Sequence, residues 1–202
     1  GAHAGQLTMA STVLQAASQA ALTVAEVRQQ CRIDGTDEDA YLEAIVIPAV
    51  CALFESETRH RLLTTTLQDT LPCWPRTGRI DLGWRVVQEV QEVTYLDASG
   101  QLQTLPPTAY QVDPTTLPAS VYVAPAAALP SMLQHPAALR VRYVAGFGDA
   151  PADVPHNVRL WLLLHCAHFW NNREAGFSAS GNDMKPLLFT GGLISDYQLI
   201  SV

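Results

Sequence analysis

The residues best suited to chemistry are His165, Cys166 and His168, the one compact set of metal-ligating side chains in the sequence. On a helix His165 and His168 share a face, as side chains three apart do, and zinc accepts two imidazoles. Such a pair is the starting point of a metal-assisted hydrolase. The glutamate that sits between the histidines of the metalloprotease helix is missing, however, and no neighbouring ligands complete a tetrahedron. The plainer reading is polar-tipped aromatics on a crowded helix. His60, between Arg59 and Arg61 at the end of an earlier helix, reads as a cationic end that complements the helix dipole. Gly146-Phe147-Gly148 lacks the helix spacing of a dinucleotide loop, and no lysine stands in a phosphate loop. No serine occupies a strained elbow flanked by glycines at the required spacing. The expectation is therefore a chain with no catalytic residues and no cofactor, and not an enzyme.

These residues must be held by a small number of elements. Thr36 to Leu63 reads as a long amphipathic helix, with Leu42, Ile45, Val46, Ala49, Val50, Leu53 and Phe54 on one stripe. Thr36, Asp37, Glu38 and Asp39 are placed to cap its start, and Pro48 should kink it about one turn earlier. A second helix runs from Val154 to about Arg173 and is apolar nearly all round, so it should be covered on more than one side. The two are expected to be partners. Before them, Thr23 and Glu26 form a capping box that opens a short helix to about Cys31. Met9 to Ala21 has good helix propensity but no apolar stripe, which suggests a loose arm.

Between the helices the period changes to that of strands. Leu63 to Leu71, Arg79 to Leu82, Gln101 to Leu105, Tyr110 to Val112 and Val121 to Val123 are expected strands, with a hairpin turn at Asp97-Ala98-Ser99-Gly100. Val86, Val87, Val90 and Val93 also fit helical spacing, and their β-branched content and the turn that follows tip the reading towards a strand. The cleanest strand is Leu139 to Ala145, in which Leu139, Val141, Tyr143 and Ala145 share one face while Arg140 and Arg142 point the other way. Asp113 to Pro136 is rich in proline and alanine, and a loop this long is either a surface excursion or an arm on a neighbouring subunit. After a glycine-serine stretch, the tail from Met184 to Val202 is apolar again and needs a docking surface on this subunit or another.

Composition sets the class. At 202 residues the chain can bury roughly two thirds to 70% of its unfolded surface. The net charge is -7, with one lysine against eleven arginines, which argues against wrapping nucleic acid, since phosphate binding rests on clustered positive charge. Cys31, Cys51, Cys73 and Cys166 are scattered and read as buried free thiols of a reducing compartment. No apolar run reaches the ~18 residues that span a bilayer, and Gly1 to Gly5 reads as a processed end rather than a signal peptide. The fold expected is α+β, a helical core of two main helices plus short helices, with an inserted small antiparallel β region. In domain terms, 1-21 is a flexible N-terminal arm, 22-174 a single domain (helices 22-62 and 154-174 around a β insertion 63-148), and 175-202 a linker and C-terminal tail.

The order of segments resembles that of another group of proteins. Leu22-Thr23-Val24-Ala25-Glu26-Val27, then Arg32-Ile33-Asp34-Gly35 with Asp37-Glu38-Asp39 and the long helix, resembles the start of tailed-phage and prophage head-tail connector proteins, also called adaptor or head-completion proteins. Val93-Thr94-Tyr95-Leu96-Asp97, Val141-Arg142-Tyr143-Val144-Ala145-Gly146-Phe147-Gly148 and His168-Phe169-Trp170-Asn171-Asn172-Arg173-Glu174 extend the resemblance over most of Leu22 to Glu174. The N-terminal segment and the proline-rich loop depart from it. The resemblance implies a structural protein that forms a ring beneath the portal, located at the virion head-tail junction and in the host cytoplasm during assembly. The implied partners are other copies of itself, the portal protein and a tail or stopper protein, with transient, non-specific passage of DNA through the channel and no membrane. It implies no catalytic residues. The residues placed to make intersubunit or portal contacts are Pro114, Pro118, Pro125 and Pro130 of the loop and Leu187, Leu188, Phe189 and Tyr197 of the tail, so deleting the tail should weaken assembly and spare the fold. The alternatives are the hydrolase on His165 and His168, and a monomeric binding module.

Overall fold

The computed structural model describes residues 9-116, 118-123, 129-173 and 190-198. The chain divides into two compact units, one made of Gly1–Ala17 with Thr64–Gly146 and the other of Ser18–Leu63 with Phe147–Val202.

The first unit holds the strands: β1 (Ala10–Gln15), β2 (Thr65–Leu71), β3 (Arg79–Asp81), β4 (Val87–Leu96), β5 (Leu102–Thr104), β6 (Tyr110–Asp113), β7 (Ser120–Val123) and β8 (Leu139–Ala145). They form two antiparallel sheets, not the single small one expected: five strands in the order β1-β2-β8-β4-β5, and three in the order β3-β7-β6. β8 sits at the centre of the larger sheet because its alternation is the cleanest. Leu139, Val141, Tyr143 and Ala145 are buried, with Arg140 and Arg142 on the opposite face. The buried row meets Leu67, Leu71 and Val93 of its own sheet and Ile80, Val121 and Val123 of the other, closed over by Trp74 and Trp84. The β4-β5 hairpin turns where expected. Asp97 accepts hydrogen bonds from the Ser99 hydroxyl (2.6 Å), the Gln103 amide (2.9 Å) and the Gln101 N–H (2.9 Å). Those bonds hold its carboxyl down at about 2, the Ser99 hydroxyl contributing most.

Residues 10-15 are not a loose arm. Ala10 pairs with Thr70, and the pairing continues to Gln15 opposite Thr66. The alanine, serine and glutamine of this stretch favour helix weakly, and the backbone groups on the open edge of β2 outweigh that preference.

The second unit is helical: α1 (Val24–Cys31), α2 (Asp39–Tyr41), α3 (Ile47–Thr58), α4 (His156–Asn171) and α5 (Thr190–Leu193). The capping box of α1 forms as the spacing predicts, with the Glu26 N–H donating to the Thr23 hydroxyl (3.3 Å) and the Thr23 N–H donating to the Glu26 carboxylate (2.8 Å). Pro48 produces a wide turn where a kink is expected. Leu42–Val46 is π-helical, and the Ile47 N–H reaches back five residues to the Leu42 carbonyl. The extra residue in that turn makes room for the ring, and Pro48, second in α3, has no N–H to leave unmade. The acidic run does not supply a side-chain cap: Glu38, at the cap position, makes no such bond. Its carboxylates bind elsewhere in the helical unit, Glu38 pairing with Arg173, just past α4, at 3.0 Å and Asp39 with Arg28 of α1 at 3.5 Å.

α4 is covered on several sides, by α1, α3, the π-helical turn and α5. Phe54 of α3 meets Trp161 of α4 edge to face, with centroids 5.7 Å apart. Arg159 of α4 pairs with Glu26 and donates to the carbonyls of Ala21 (3.3 Å) and Pro151 (2.6 Å). The described part of the tail docks on its own chain. Ile194 is buried, and the Asn157 side-chain amide donates to the Leu193 carbonyl (2.8 Å). Removing the tail from Thr190 onward should therefore cost stability as well as any contact it makes elsewhere.

Two outcomes follow for stability. Arg159→Ala strips charged hydrogen bonds from three acceptors and should lower the unfolding free energy by about 2–3 kcal/mol, read from urea denaturation of the helical circular dichroism signal. Ile194→Ala should cost about 2–4 kcal/mol by the same measurement; a change within experimental error would show that the tail is not part of this core.

Candidate functional site

The two histidines considered for metal lie on α4, but His165 is already engaged. Its Nδ1–H donates to the Trp161 carbonyl (2.9 Å), and its ring stacks on Trp161 with centroids 3.6 Å apart. His168 is exposed near the end of the helix, beside Asn172. Among the described residues no three His, Cys, Asp or Glu side chains gather as a metal site would require. Cys166, between the histidines, is buried, whereas Cys31 and Cys51 are half-buried and Cys73 is exposed, so the four are not uniformly core thiols. Burial pushes Cys51 and Cys166 up to about 12, which leaves both protonated and unreactive at neutral pH.

The side chain of His60, read as a cationic helix end, packs into the helical unit. It is buried, its ring lies parallel to Phe147 with centroids 5.8 Å apart, and its edge contact with Tyr197 is at 5.2 Å. Its Nδ1–H donates to the Thr58 carbonyl (2.9 Å). The helix stops at Arg59, in the left-handed conformation with φ 57°, and the chain reversal there turns the next side chain inward.

Of the residues expected at interfaces, Tyr197 belongs to this same cluster, touching Phe54 (6.4 Å) and Phe147 (5.8 Å) as well as His60. Its ring is thus held by its own chain. Pro114 and Pro130 are exposed and Pro118 is half-buried. Pro130 also accepts a hydrogen bond from the Trp74 indole (3.1 Å), and Met132 bridges to Asp97, so this end of the loop packs on its own sheets. Pro125, Leu187, Leu188 and Phe189 lie outside the described residues.

A polar centre that the sequence reading does not single out lies under β1. Asp69 of β2 is fully buried, and its carboxylate accepts from the Ser11 hydroxyl and from the Gly83 N–H (2.7 Å). Burial raises its pKa, and those hydrogen bonds offset only part of the rise. A Cβ at Gly83 would displace the Ser11 hydroxyl from Asp69. Also missed are the exposed apolar side chains on the two outer strands of the larger sheet, Val13, Leu14 and Leu102. A signal existed: no Asp, Glu, Lys or Arg occurs from Gln6 to Ala25 or from Ala98 to Val112.

Among the described residues the polar side chains named above tie elements of each unit together. No family model matches the sequence, and no characterised protein matches it by sequence. Solved structures do. A chain of the neck of an empty gene transfer agent (GTA) particle, computed with C6 symmetry, superposes with a TM-score of 0.77 at 21% identity, covering 96% of this chain and 97% of that one. A chain of the virion of a native gene transfer agent particle gives 0.75 at 24% identity, covering 95% and 96%. A chain of the neck of a native particle, computed with C12 symmetry, gives 0.75 at 21% identity, covering 96% and 97%. The chain therefore has the fold of components of gene transfer agent particles, including components of the neck. The resemblance to head-tail connector proteins read from the sequence agrees with this at the level of fold.

The buried carboxylate predicts a specific pH dependence. Because folding raises the Asp69 pKa, the site favours the protonated form: its contribution is fully present below the ordinary aspartate value of about 3.9 and is lost as pH rises through the folded value. Asp69→Asn, uncharged throughout, should therefore gain stability relative to wild type between acidic and neutral pH. Thermal melts of both proteins across that range check it, and a difference that does not change with pH would contradict it.

Proposed function

We propose that this chain is a structural, ring-forming adaptor at the head-tail junction of a phage or an integrated prophage. It docks below the portal, takes part in head completion and tail attachment, and leaves a central channel for DNA. The observation that carries this reading is the fold likeness to neck components over 96% of this chain and 97% of theirs. A likeness that spans both chains from end to end supports a similar place in an assembly better than one confined to a common core.

Further support is physical. The neighbours come from necks computed with C6 and C12 symmetry, and cyclic assembly needs a head-to-tail interface in which each copy offers two different patches. A chain of net charge -7 suits a channel through which DNA slides, since phosphates are repelled rather than gripped. The proposed partners are other copies of the chain, a portal protein, and a tail or stopper protein. Pro114 and Pro118, exposed or half-exposed beside β6 and β7, are the loop residues offered to them.

Light scattering after size exclusion, across protein concentration and with purified portal, tests the ring. A particle of six or twelve times the 21.9 kDa chain is expected. A monomer at every concentration that also ignores the portal would overturn the reading in favour of a monomeric binding module.

A further inference from the structure

We infer that the five-stranded sheet is continued from copy to copy, the open edge of β1 in one copy pairing with the open edge of β5 in the next. This rests on the ring reading above and names the surface through which the ring would close.

Among the described residues β1 pairs only with β2 and β5 only with β4, so each presents one row of backbone N–H and C=O groups outward. All six residues of β1 and all three of β5 are exposed. Sheet edges in proteins that stay monomeric are defended by charge, by proline within the strand or by covering elements. Neither strand contains a charged residue or a proline. The inner strands of the same sheet do carry charge, at Asp69, Glu89, Glu92, Arg140 and Arg142. In this sheet the distribution is thus the reverse of a defended one.

The missing charge also selects the occupant. Two copies of a chain with net charge -7 repel one another over most of their surface, and a contact between copies is least opposed where neither side is charged. β1 lies in one uncharged stretch, Gln6 to Ala25, and β5 in another, Ala98 to Val112. Val13, 43% exposed, and Leu102, 54% exposed, put an apolar side chain on each edge. Edge pairing gives main-chain hydrogen bonds, and flanking side chains of this kind give it specificity. The irregularity between Val13 and Gln15 leaves Ala10 to Val13 in regular register, a length suited to the three residues of β5. Two β1 edges could also pair with each other, but that contact is two-fold and closes as a dimer; a ring needs two different patches, and β1 with β5 supplies them.

Val13→Lys and Leu102→Lys place a charge on one edge each, at exposed positions, and circular dichroism with thermal melting confirms that each variant is folded. Light scattering should then show the wild type as a ring and each variant alone near the 21.9 kDa of one chain. Mixing the two variants should give a one-to-one dimer, because each retains the edge the other has lost. Folded variants that both assemble like wild type would overturn the pairing and leave the ring reading intact. Loss of assembly in Val13→Lys alone, with Leu102→Lys unaffected, would overturn it, since β1 would then have a partner other than β5. A wild type that stays at 21.9 kDa alone and with portal would overturn the ring reading, and this pairing with it.

Discussion

The ion pair between Glu26 and Arg159 is the contact on which the helical unit depends, because its two halves are 133 residues apart in sequence. One half precedes the β region and the other follows it. Nothing local brings α1 against α4. Arg159 helps to do so, beside the buried Val27, Val158 and Leu162, by holding the Glu26 carboxylate together with the carbonyls of Ala21 and Pro151. Glu26 is already fixed by Thr23, so the same carboxylate caps one helix and anchors another. The β unit solves the same problem with a different group. Its first strand is also remote in sequence, and the buried Asp69 ties it down through Ser11. In both units a carboxylate links elements remote in sequence, beside the apolar packing that buries them.

How much of this was legible varies with how local the cause is. The capping box, the turn at Asp97 and the alternation of β8 are set by neighbours in sequence, and each is found where the sequence puts it. β1 was not legible, since its strand state comes from the edge of β2 and not from its own propensity. The acidic run at the start of α2 was misassigned for a related reason: its partners are Arg28 on α1 and Arg173 just past the end of α4. His60 carried two arginine neighbours that suggested a cationic helix end, and the reversal at Arg59 turns it towards Phe147 and Tyr197. The wide turn before Pro48 was half legible: the proline marked the place but not the form of the accommodation.

The candidate site follows the same rule. Residue types alone drew attention to His165 and His168, and geometry assigns His165 to stacking and helix bonding instead. What distinguishes the surface is where charge is missing, a property of long stretches rather than of a motif. The charge-free outer strands of the larger sheet are what the proposed contact between copies rests on. The fold likeness to a neck component at 21% identity shows that two very different sequences reach the same fold.

Electron cryomicroscopy of the chain mixed with purified portal tests the central claim most directly. The account predicts a closed ring coaxial with the portal, enclosing a channel wide enough for duplex DNA. Copies bound singly around the portal rim, or density that closes the axis, would contradict it.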